Sequence, residues 1–484
     1  MKIFNKFFLA FCFLAAFTSC EKKLTDLKPI DQVPIDHAIL TMNDLGTAVN
    51  GVYGSWSARR SIYISSYISD EVRLGTGTEY RNVGNTLFNW LFVSDSQDWR
   101  DEELGGVWTN LYAVIDRANR VIQYSNNVVA ANPTEQALKD QYKGEMLALR
   151  AMAHLQLLRC YSATAEYNPT ALGVILQITV PPADISTYRP SRNTQKEVID
   201  QVNADLLLAR TLIPVTFTDI SRITLNAVIG AQVRSAVFTK DWQGVIDRAT
   251  EIIPLQPLTP STGSAYAALW TTRSLPANQS TEVIWKLNIT SANSGFAVGT
   301  LWQDAGTAGA QQAAPSAKLM SQYNQATDVR FSTFFRTTPR NLIAKYGVNP
   351  PTSESYIYDV KMMRTSEMVL ARAEAYAEMS LFPQSNADLA SVRTNRITGY
   401  VHTALPDKPT LIDAIYTERY KELCYEGQRY FDLRRRSMPI VRDVSDIGGI
   451  ISSQTLLPTD AHYLLPIPAQ EILANPNIVQ NPGF

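Results

Sequence analysis

Apolar residues recur at steps of three and four along most of the chain, which is the spacing of helices that bury one face. This pattern predicts a helix that starts near Met42 and further helices over 108–122, 135–161 and 194–212. Strand-like runs are short, as at 282–289. The chain is therefore predicted to be mainly α-helical, with few short β segments.

Helix pairs are predicted over 226–253 and 364–396, and the two pairs resemble each other weakly. Each has alanines where two helices would approach closely, followed by a short turn and a second helix. Such spacing is typical of degenerate tetratricopeptide repeats, which are helical hairpins that stack on one another. Between the pairs lies a long stretch, 255–351, rich in Pro, Gly, Ser, Thr and Asn. Loops of this length are usually functional or disordered.

The stretch 411–436, termed the signature segment below, is predicted to be one helix of about six turns that forms a packing hub. Its apolar stripe consists of Ile412, Tyr416, Tyr420, Leu423 and Phe431. The other face is charged and carries Glu418, Arg419, Glu422, Glu426, Arg429, Asp432 and Arg435. The spacing pairs these charges at i,i+3, where an exposed pair contributes about 0.2–0.5 kcal/mol. Gly427 is costly inside a helix, which indicates that another backbone passes close to it.

The signature segment resembles the signature helix of the SusD/RagB family of Bacteroidetes outer-membrane lipoproteins. Among the residues that carry the resemblance are Arg419, Glu422, Glu426, Gly427, Arg429 and Asp432. Tyr420 and Gln428 stand where basic residues are common in the family. The segments 108–122 and 464–484 also resemble the family, so the likeness touches nearly the whole mature chain. It implies a scaffold of tetratricopeptide-like helical hairpins wrapped by long irregular loops.

The first twenty residues have the features of a lipoprotein export signal. Lys2 and Lys6 precede an apolar run at 7–17, which is too short to span a bilayer. Small residues then lead to Cys20, which is expected to carry acyl chains, palmitate among them, as the first residue of the mature protein. Contact with the membrane is therefore expected through the lipid anchor only.

These features divide the chain into four parts. They are a lipoprotein signal peptide at 1–19, a lipid anchor and tether at 20–41, a SusD-like N-terminal helical region at 42–254 and a SusD/RagB C-terminal region at 255–484. The last part holds the loop-rich insert and the C-terminal helices. The two helical regions are expected to form one compact globule.

Charge and cysteine usage exclude several classes of protein. Charged residues make up 18% of the chain, the formal net charge is −1 and no block of like charge occurs, so a nucleic acid partner is not expected. Cys12 leaves with the signal peptide, and the remaining Cys160 and Cys424 have no metal or redox spacing. Both are predicted to be buried thiols, with a disulfide as the alternative. The histidines stand singly, so neither a metal nor a cofactor is expected.

No catalytic motif is present in the sequence. The chain lacks a GxSxG elbow, a GxxxxGKS loop, an HExxH motif and a paired CxxC. The protein is therefore predicted not to be an enzyme. Glycoside hydrolysis remains an alternative, because a pair of catalytic carboxylates leaves no linear motif.

Ligand binding is expected to fall to aromatic residues on loops, because a sugar ring offers an apolar face to an aromatic ring while its hydroxyl groups need polar partners. The candidates lie in two irregular regions, 62–99 and 255–351. They are Tyr80, Arg81, Asn82 and Trp99 in the first region, and Trp302 and Asp304 in the second. Packing is the alternative role for Tyr80, Trp99 and Trp302. Trp90 and Trp108 are predicted to be core residues.

The family resemblance implies a lipid-anchored protein of the cell outer membrane, facing the cell exterior, that binds a nutrient, in this family most often a glycan. It also implies delivery of that nutrient to a SusC-like TonB-dependent transporter, above which the protein would act as a hinged lid. Two further binding functions stay open: a family member that binds peptides or another nutrient, and a periplasmic tetratricopeptide-type scaffold that binds proteins. The sequence does not name the ligand.

Overall fold

The computed structural model describes residues 38–74, 84–94, 102–182, 187–261, 264–302, 312–338, 341–347, 356–447 and 454–484. Its helices are α1 Met42–Tyr53, α2 Ala58–Ile68, α3 Asn85–Phe88, α4 Glu102–Tyr124, α5 Pro133–Tyr161, α6 Gln195–Leu212, α7 Leu225–Thr239, α8 Trp242–Ile252, α9 Ala265–Thr271, α10 Ala317–Met320, α11 Val329–Phe334, α12 Thr365–Glu378, α13 Phe382–Thr394, α14 Lys408–Leu423, α15 Arg429–Arg434 and α16 Ala469–Ala474. The predicted mainly helical architecture is confirmed.

The strands of the described chain are short and pair in twos. They are β1 Val72–Arg73, β2 Val283–Leu287, β3 Ala314–Pro315, β4 Phe335–Arg336, β5 Leu342–Ile343, β6 Val360–Arg364, β7 Ile440–Val441 and β8 Thr455–Leu456. The antiparallel pairs are β1 with β3, β2 with β6, β4 with β5 and β7 with β8. Strand β2 falls within the predicted run 282–289, and its pairing with β6 fastens the loop-rich insert to the start of α12.

Helix starts follow from side-chain caps in the sequence. The Thr194 hydroxyl accepts a hydrogen bond from the backbone N–H of Glu197, and the Glu197 carboxylate accepts one from the N–H of Thr194. This reciprocal capping box begins α6. Asn132 caps α5 in a similar way, with Pro133 at the first helical position. Because these signals are local, the predicted bounds of both helices lie within two residues of the observed ones.

The helices stack as a series of neighbouring hairpins. Helix α4 packs against α5, α5 against α6, α6 against α7 and α7 against α8. The series continues as α8 packs against α12, which also contacts α13 and α14. The pairs α7/α8 and α12/α13 are the two helical hairpins predicted from their alanine spacing, and both are confirmed.

A large hydrophobic core extends through most of the stack, and a second, smaller cluster lies where α12, α13 and α14 meet. Trp90 and Trp108, both predicted to be core residues, are 5% and 2% exposed. Cys160 and Cys424 are buried free thiols, as predicted, and burial raises the pKa of each to about 12. The core crosses from residues before 254 to residues after 255, so the division between these two regions stays a prediction. In the described ranges, no helix combines the length and the apolar character needed to cross a membrane.

The signature segment is not one helix, so that prediction is wrong. Helix α14 ends at Leu423 and α15 begins at Arg429. Between them, Tyr425 has φ 61° and Gly427 has φ 75°. An α-helix requires negative φ, so the chain must turn here. The turn places Gly427 against α2.

The charged face of the signature segment is buried, which also corrects the expectation of exposed ion pairs. Glu422 is 0% exposed, Glu418 1% and Arg419 4%. Of the predicted i,i+3 pairs, that of Asp432 with Arg435 is present, at 3.2 Å. Arg419 binds Asp432 instead of Glu422, at 2.8 Å. Periodicity identified the two faces but could not show that distant elements cover the charged one.

The close backbone approach predicted at Gly427 is confirmed. A Cβ atom added to Gly427 would lie 3.4 Å from Cα and 3.5 Å from the backbone nitrogen of Ile62. Replacing Gly427 by alanine is expected to lower the free energy of unfolding by about 1–3 kcal/mol, because alanine would be strained at this φ and crowded by α2.

Gly399→Ala is the matched control for this prediction. Gly399 has φ 71°, and nothing lies within 4 Å of the position of an added Cβ. Urea unfolding of both variants separates the cost of positive φ from the cost of the contact with Ile62. Equal losses in the two variants would contradict a tight contact at Gly427.

Candidate functional site

The flanks of the predicted ligand-binding loops meet at helix α2. The candidate residues outside the described ranges belong to the segments 75–83, 95–101 and 303–311. At least one described flank of each segment contacts α2 or the strand that follows it. We term this surface the α2 platform and define it as α2, β1 and residues 298–302.

Tyr67 connects α2 to the residues that precede 303–311, and these in turn bind the residue that follows it. Its hydroxyl donates to the carbonyl oxygen of Leu301 at 3.1 Å. Its ring is stacked with that of Trp302, with the centroids 6.4 Å apart. The N–H of Gln312 donates to the Trp302 carbonyl at 2.9 Å. The segment 303–311 therefore leaves and rejoins the scaffold beside Tyr67.

Gly84 connects α2 to the segment 75–83, which precedes it. Gly84 has φ 84°, and an added Cβ would overlap the ring of Tyr67 and lie 2.7 Å from the hydroxyl oxygen of Tyr63. Both the backbone angle and the close approach require glycine here. The chain therefore returns from this segment directly onto the two tyrosines of α2.

Strands β1 and β3 connect the two irregular regions to each other. Strand β1 ends just before 75–83, and β3 begins just after 303–311. Within the pair, Arg73 lies opposite Ala314. The two regions are far apart in the sequence, yet they extend from adjacent backbone.

The third flank is the start of α4, which follows the segment 95–101. The guanidinium of Arg60 lies against Gly106, where it would overlap an added Cβ. On the other side of the segment, the carbonyl of Ser94 accepts a hydrogen bond from the N–H of Ala469 at 3.0 Å. The chain therefore enters α4 across the first turn of α2.

Arg442 holds the C-terminal end of α2. It is 1% exposed and donates to four backbone carbonyl groups, those of Tyr67, Ile68, Ser69 and Phe88. Its guanidinium lies 3.8 Å from the ring centroid of Phe88 and 4.2 Å from that of Trp90. Burial lowers its pKa to about 9. Carbonyls at a helix end need such donors, so Arg442 fixes where α2 stops.

The signature segment holds the residues that follow α2. Arg429 binds the Asp70 carboxylate at 2.8 and 2.9 Å, and Lys318 binds it at 2.8 Å. Burial opposes ionisation of Asp70, but Arg429 and Lys318 outweigh it and hold its pKa well below its usual range. The neighbouring Glu71 accepts a hydrogen bond from the N–H of Tyr425 at 3.0 Å. The signature segment thereby positions the platform.

Glu422 lies at the centre of a buried ion network. Its carboxylate binds Arg330, Arg364 and Arg396 at 3.0, 2.7 and 3.0 Å. Glu282 binds Arg364 and Arg396, and all five side chains are 0% exposed. Burial opposes ionisation of Glu422, but the three guanidinium groups outweigh it and hold its pKa well below its usual range. The network joins α14 to α11, to β6 and to the chain after α13.

The remaining signature residues make contacts of the same kind. Glu426 binds Arg364 and Lys345, each at 2.7 Å. Arg419 binds Asp432 through two hydrogen bonds of 2.8 and 2.9 Å. These are packing contacts between elements, the role that the sequence indicates for this segment.

The predicted ligand-binding residues fall into two groups. Tyr80, Arg81, Asn82, Trp99 and Asp304 lie outside the described residues, so their roles stay predictions. Trp302 is 1% exposed, and its ring centroid lies 5.2 Å from that of Tyr425. So little exposure leaves neither face of the ring open to a sugar. Ligand contact at Trp302 is therefore not supported, and the alternative of packing accounts for this residue.

A cleft lies between α1 and the chain after β2. This cleft has a volume of about 420 Å³, and its lining includes Tyr53, Trp56, Asp219, Arg222, Asn50, Asn288 and Asn293. Aromatic rings, a carboxylate and amide groups are the kinds of side chain that can bind a sugar. Its charged groups are already engaged, since Arg222 binds Glu145 at 2.8 Å and Asp219 accepts a hydrogen bond from Ser221 at 2.6 Å. The cleft is therefore the second candidate site, after the α2 platform.

Sequence reasoning missed the residues that anchor the platform. Tyr63 and Tyr67 lie four residues apart, which would place them on one face of a helix, so the sequence held a signal for them. Arg442 stands alone between Val441 and Asp443 and carries no such signal. In the described ranges, no group of three or more His, Cys, Asp or Glu residues is arranged to hold a metal ion.

The fold and the site define a helical scaffold protein whose buried ion network holds a platform for loops. The "SusD family" model matches residues 292–484, and the model "Starch-binding associating with outer membrane" matches residues 48–234. The chain belongs to the SusD/RagB family. Members of this family are binding proteins rather than enzymes and are associated with the outer membrane. No curated protein matches the sequence.

Solved structures share the fold at low sequence identity. A SusD superfamily protein from Bacteroides thetaiotaomicron is 22% identical, with a TM-score of 0.77 over 91% of this chain and 100% of that chain. A SusD-like carbohydrate binding protein from Bacteroides vulgatus is 19% identical, with a TM-score of 0.74 over 91% and 98%. A SusD superfamily protein from Parabacteroides distasonis is 18% identical, with a TM-score of 0.72 over 91% and 99%. Each covers nearly the whole scaffold.

Proposed function

We propose that this protein binds a glycan through the loops carried by the α2 platform. The observation that supports the proposal is the meeting of three separate chain segments at one helix. Tyr67 contacts the flanks of 75–83 and of 303–311, and Arg60 contacts the flank of 95–101. These segments contain the predicted ligand residues, so side chains distant in sequence would act on one ligand.

The comparisons support a carbohydrate as the ligand class. One matching family description names starch binding, and the similar structure from Bacteroides vulgatus is of a carbohydrate binding protein. Tyr80 and Trp99 would stack on sugar rings, while Arg81, Asn82 and Asp304 would bind hydroxyl groups. Catalysis is not part of the proposal.

We place the protein at the outer face of the outer membrane, anchored through a lipidated Cys20 after removal of residues 1–19. From there it would deliver the glycan to a SusC-like TonB-dependent transporter. A lid that stays on its transporter through repeated opening needs a contact surface larger than the standard interface. Protection of the chain from protease added to intact cells would contradict this location and favour a periplasmic protein-binding scaffold.

Calorimetric titration of the chain from Glu21 with oligosaccharides and peptides tests the ligand and the site together. Trp99→Ala and Tyr80→Ala are each expected to weaken binding of the recognised glycan at least tenfold, about 1.4 kcal/mol, because each removes a stacking surface. Asn288→Ala is the matched control, since it alters the cleft and leaves the platform intact.

Each outcome of this titration is informative. Loss of binding in Asn288→Ala with none in the platform variants would move the site to the cleft. Binding of peptides but no glycan would identify a peptide-binding family member. In a separate incubation with glycans, new reducing ends in excess of the protein would show glycoside hydrolysis and overturn the assignment as a binding protein.

A further inference from the structure

A cavity of about 40 Å³ lies between the signature segment, α5, α7 and α12. No residue of α2 lines it, so it is distinct from the platform. Five arginines are among the residues that line it: Arg159, Arg234, Arg419, Arg434 and Arg435. The carboxylates on the same wall are those of Glu367 and Asp432. Arginines therefore outnumber carboxylates on the lining of this partly open cavity, in a protein with a net charge of −1.

Ion pairs account for part of this charge. Three guanidinium groups bind carboxylates: Arg234 binds Glu367, Arg419 binds Asp432 and Arg435 binds Glu374, at 2.7, 2.8 and 2.5 Å. Within the described chain, Arg159 and Arg434 form no ion pair. Arg159 donates to the side-chain oxygens of Gln156 and Gln428. Arg434 donates to backbone carbonyls, among them that of Ser162 at 2.8 Å.

Two hydrogen-bond donors of the lining arginines have no partner among the described residues. In the described structure, Arg419 Nη1 and Arg434 Nε are buried and have no partner. Their residues are 4% and 1% exposed, and both line the cavity. Buried donors are almost always satisfied in folded proteins, and charged donors are the most costly to leave without a partner. Burial also lowers the pKa of Arg159 to about 10; the charge of Arg234 adds to this effect, and the carboxylates of Asp432 and Glu367 oppose it.

We infer that this cavity binds a small inorganic anion, of the size and charge of chloride. A cavity of this volume suits a monatomic ion or a water molecule, whose share of liquid volume is about 30 Å³. The excess of arginines over carboxylates on the lining favours the anion over water, since both fill the space but only the anion adds negative charge. The bound ion connects the signature segment to α5.

This anion site is independent of the proposed function, because it lies outside the platform and needs no glycan. Its structural consequence is specific. Arg419 and Arg434 belong to the segment that positions the platform, and Arg159 belongs to α5. An ion shared by the three therefore stabilises the fold without contacting the ligand.

Bromide in place of chloride tests the site directly. Crystals of the wild-type protein grown in bromide are expected to show an anomalous peak within about 3.5 Å of Arg419 Nη1 or Arg434 Nε. In solution, replacing gluconate by chloride at constant ionic strength is expected to raise the Tm of the wild-type protein by about 2 °C or more. Arg159→Gln is expected to lose this increase.

Arg248→Gln is the matched control variant. Arg248 is 42% exposed, forms an ion pair with Glu251 and does not line the cavity. The Arg248→Gln variant removes one arginine but should keep the increase in Tm that chloride produces. A cavity that holds water without anomalous signal would overturn the inference, as would an equal chloride response in Arg159→Gln and the wild-type protein. The bromide crystals contain the wild-type protein, so they test for the bound anion even if Arg159→Gln does not fold.

Discussion

Replacing Glu422 by glutamine is expected to lower the free energy of unfolding by about 3–5 kcal/mol. The amide keeps the shape of the side chain but removes the negative charge that faces three buried guanidinium groups, those of Arg330, Arg364 and Arg396. A buried guanidinium group that loses its carboxylate partner cannot be hydrated instead. The loss of stability is therefore much larger than for a surface ion pair. Chemical denaturation followed by circular dichroism gives the loss.

Asp200→Asn is the matched control for Glu422→Gln. It makes the same carboxylate-to-amide change in an ion pair at the surface. The side chain of Asp200 is 59% exposed, and that of its partner Lys196 is 60% exposed. Exposed pairs contribute about 0–1 kcal/mol, so little change is expected. If Glu422→Gln were no more destabilising than Asp200→Asn, the network would not be what holds the signature segment.

Glu71→Gln is expected to be more stable than the wild-type protein at pH 8, by about 3 kcal/mol, and close to it at pH 4. Burial raises the pKa of Glu71 from 4.5 to about 7. The folded state therefore favours the protonated carboxyl. As the pH rises from about 4.5 to 7, ionisation becomes more favourable in the unfolded chain, and the wild-type protein loses this stability. Glutamine cannot ionise and retains it.

The amide can also keep the contacts of Glu71. The carboxyl accepts hydrogen bonds from the Ser66 hydroxyl at 2.6 Å and from the N–H of Tyr425 at 3.0 Å. A glutamine oxygen can accept from Tyr425 while its NH2 group donates to the Ser66 oxygen. Urea unfolding from pH 4 to 8 measures the difference between variant and wild-type protein.

Asp70→Asn provides the contrast, because Asp70 has a pKa held well below its usual range and contributes stability at neutral pH that is lost in acid. The Asp70→Asn variant should therefore be less stable than the wild-type protein by a nearly constant amount above about pH 4, and this difference should shrink only as the pH falls below the ordinary pKa of 3.8. A difference between Glu71→Gln and the wild-type protein that does not vary with pH would contradict a raised pKa.

Much of the helical scaffold could be predicted because its signals are local. The capping residues that begin α5 and α6 lie within the chain next to each helix. The alanine spacing of α7/α8 and α12/α13 indicated two hairpins, and the cost of glycine indicated the close approach at Gly427. Each of these inferences needs only residues a few positions apart.

The candidate site could be predicted only in part. Its two irregular regions were identified from composition, but their convergence on α2 depends on the contact of Tyr67 with Leu301 and on the pairing of Arg73 with Ala314. These pairs are hundreds of residues apart in the chain. The role of Trp302 could not be predicted for the same reason. A tryptophan beside polar residues in the sequence can belong to a ligand site or to the core, and only its neighbours in space decide which.

The sequence by itself determined the helical class, the hairpin pairs, the family resemblance and the absence of a catalytic motif. Only the tertiary structure decided that Glu422 and Arg419 are buried and that α14 and α15 are separate helices. The physical reason is that a charged residue usually faces water. Whether a residue of opposite charge, distant in the sequence, will pack against it cannot be read from the local sequence. Arg364 and Arg396 come from other elements, and they make burial of Glu422 tolerable.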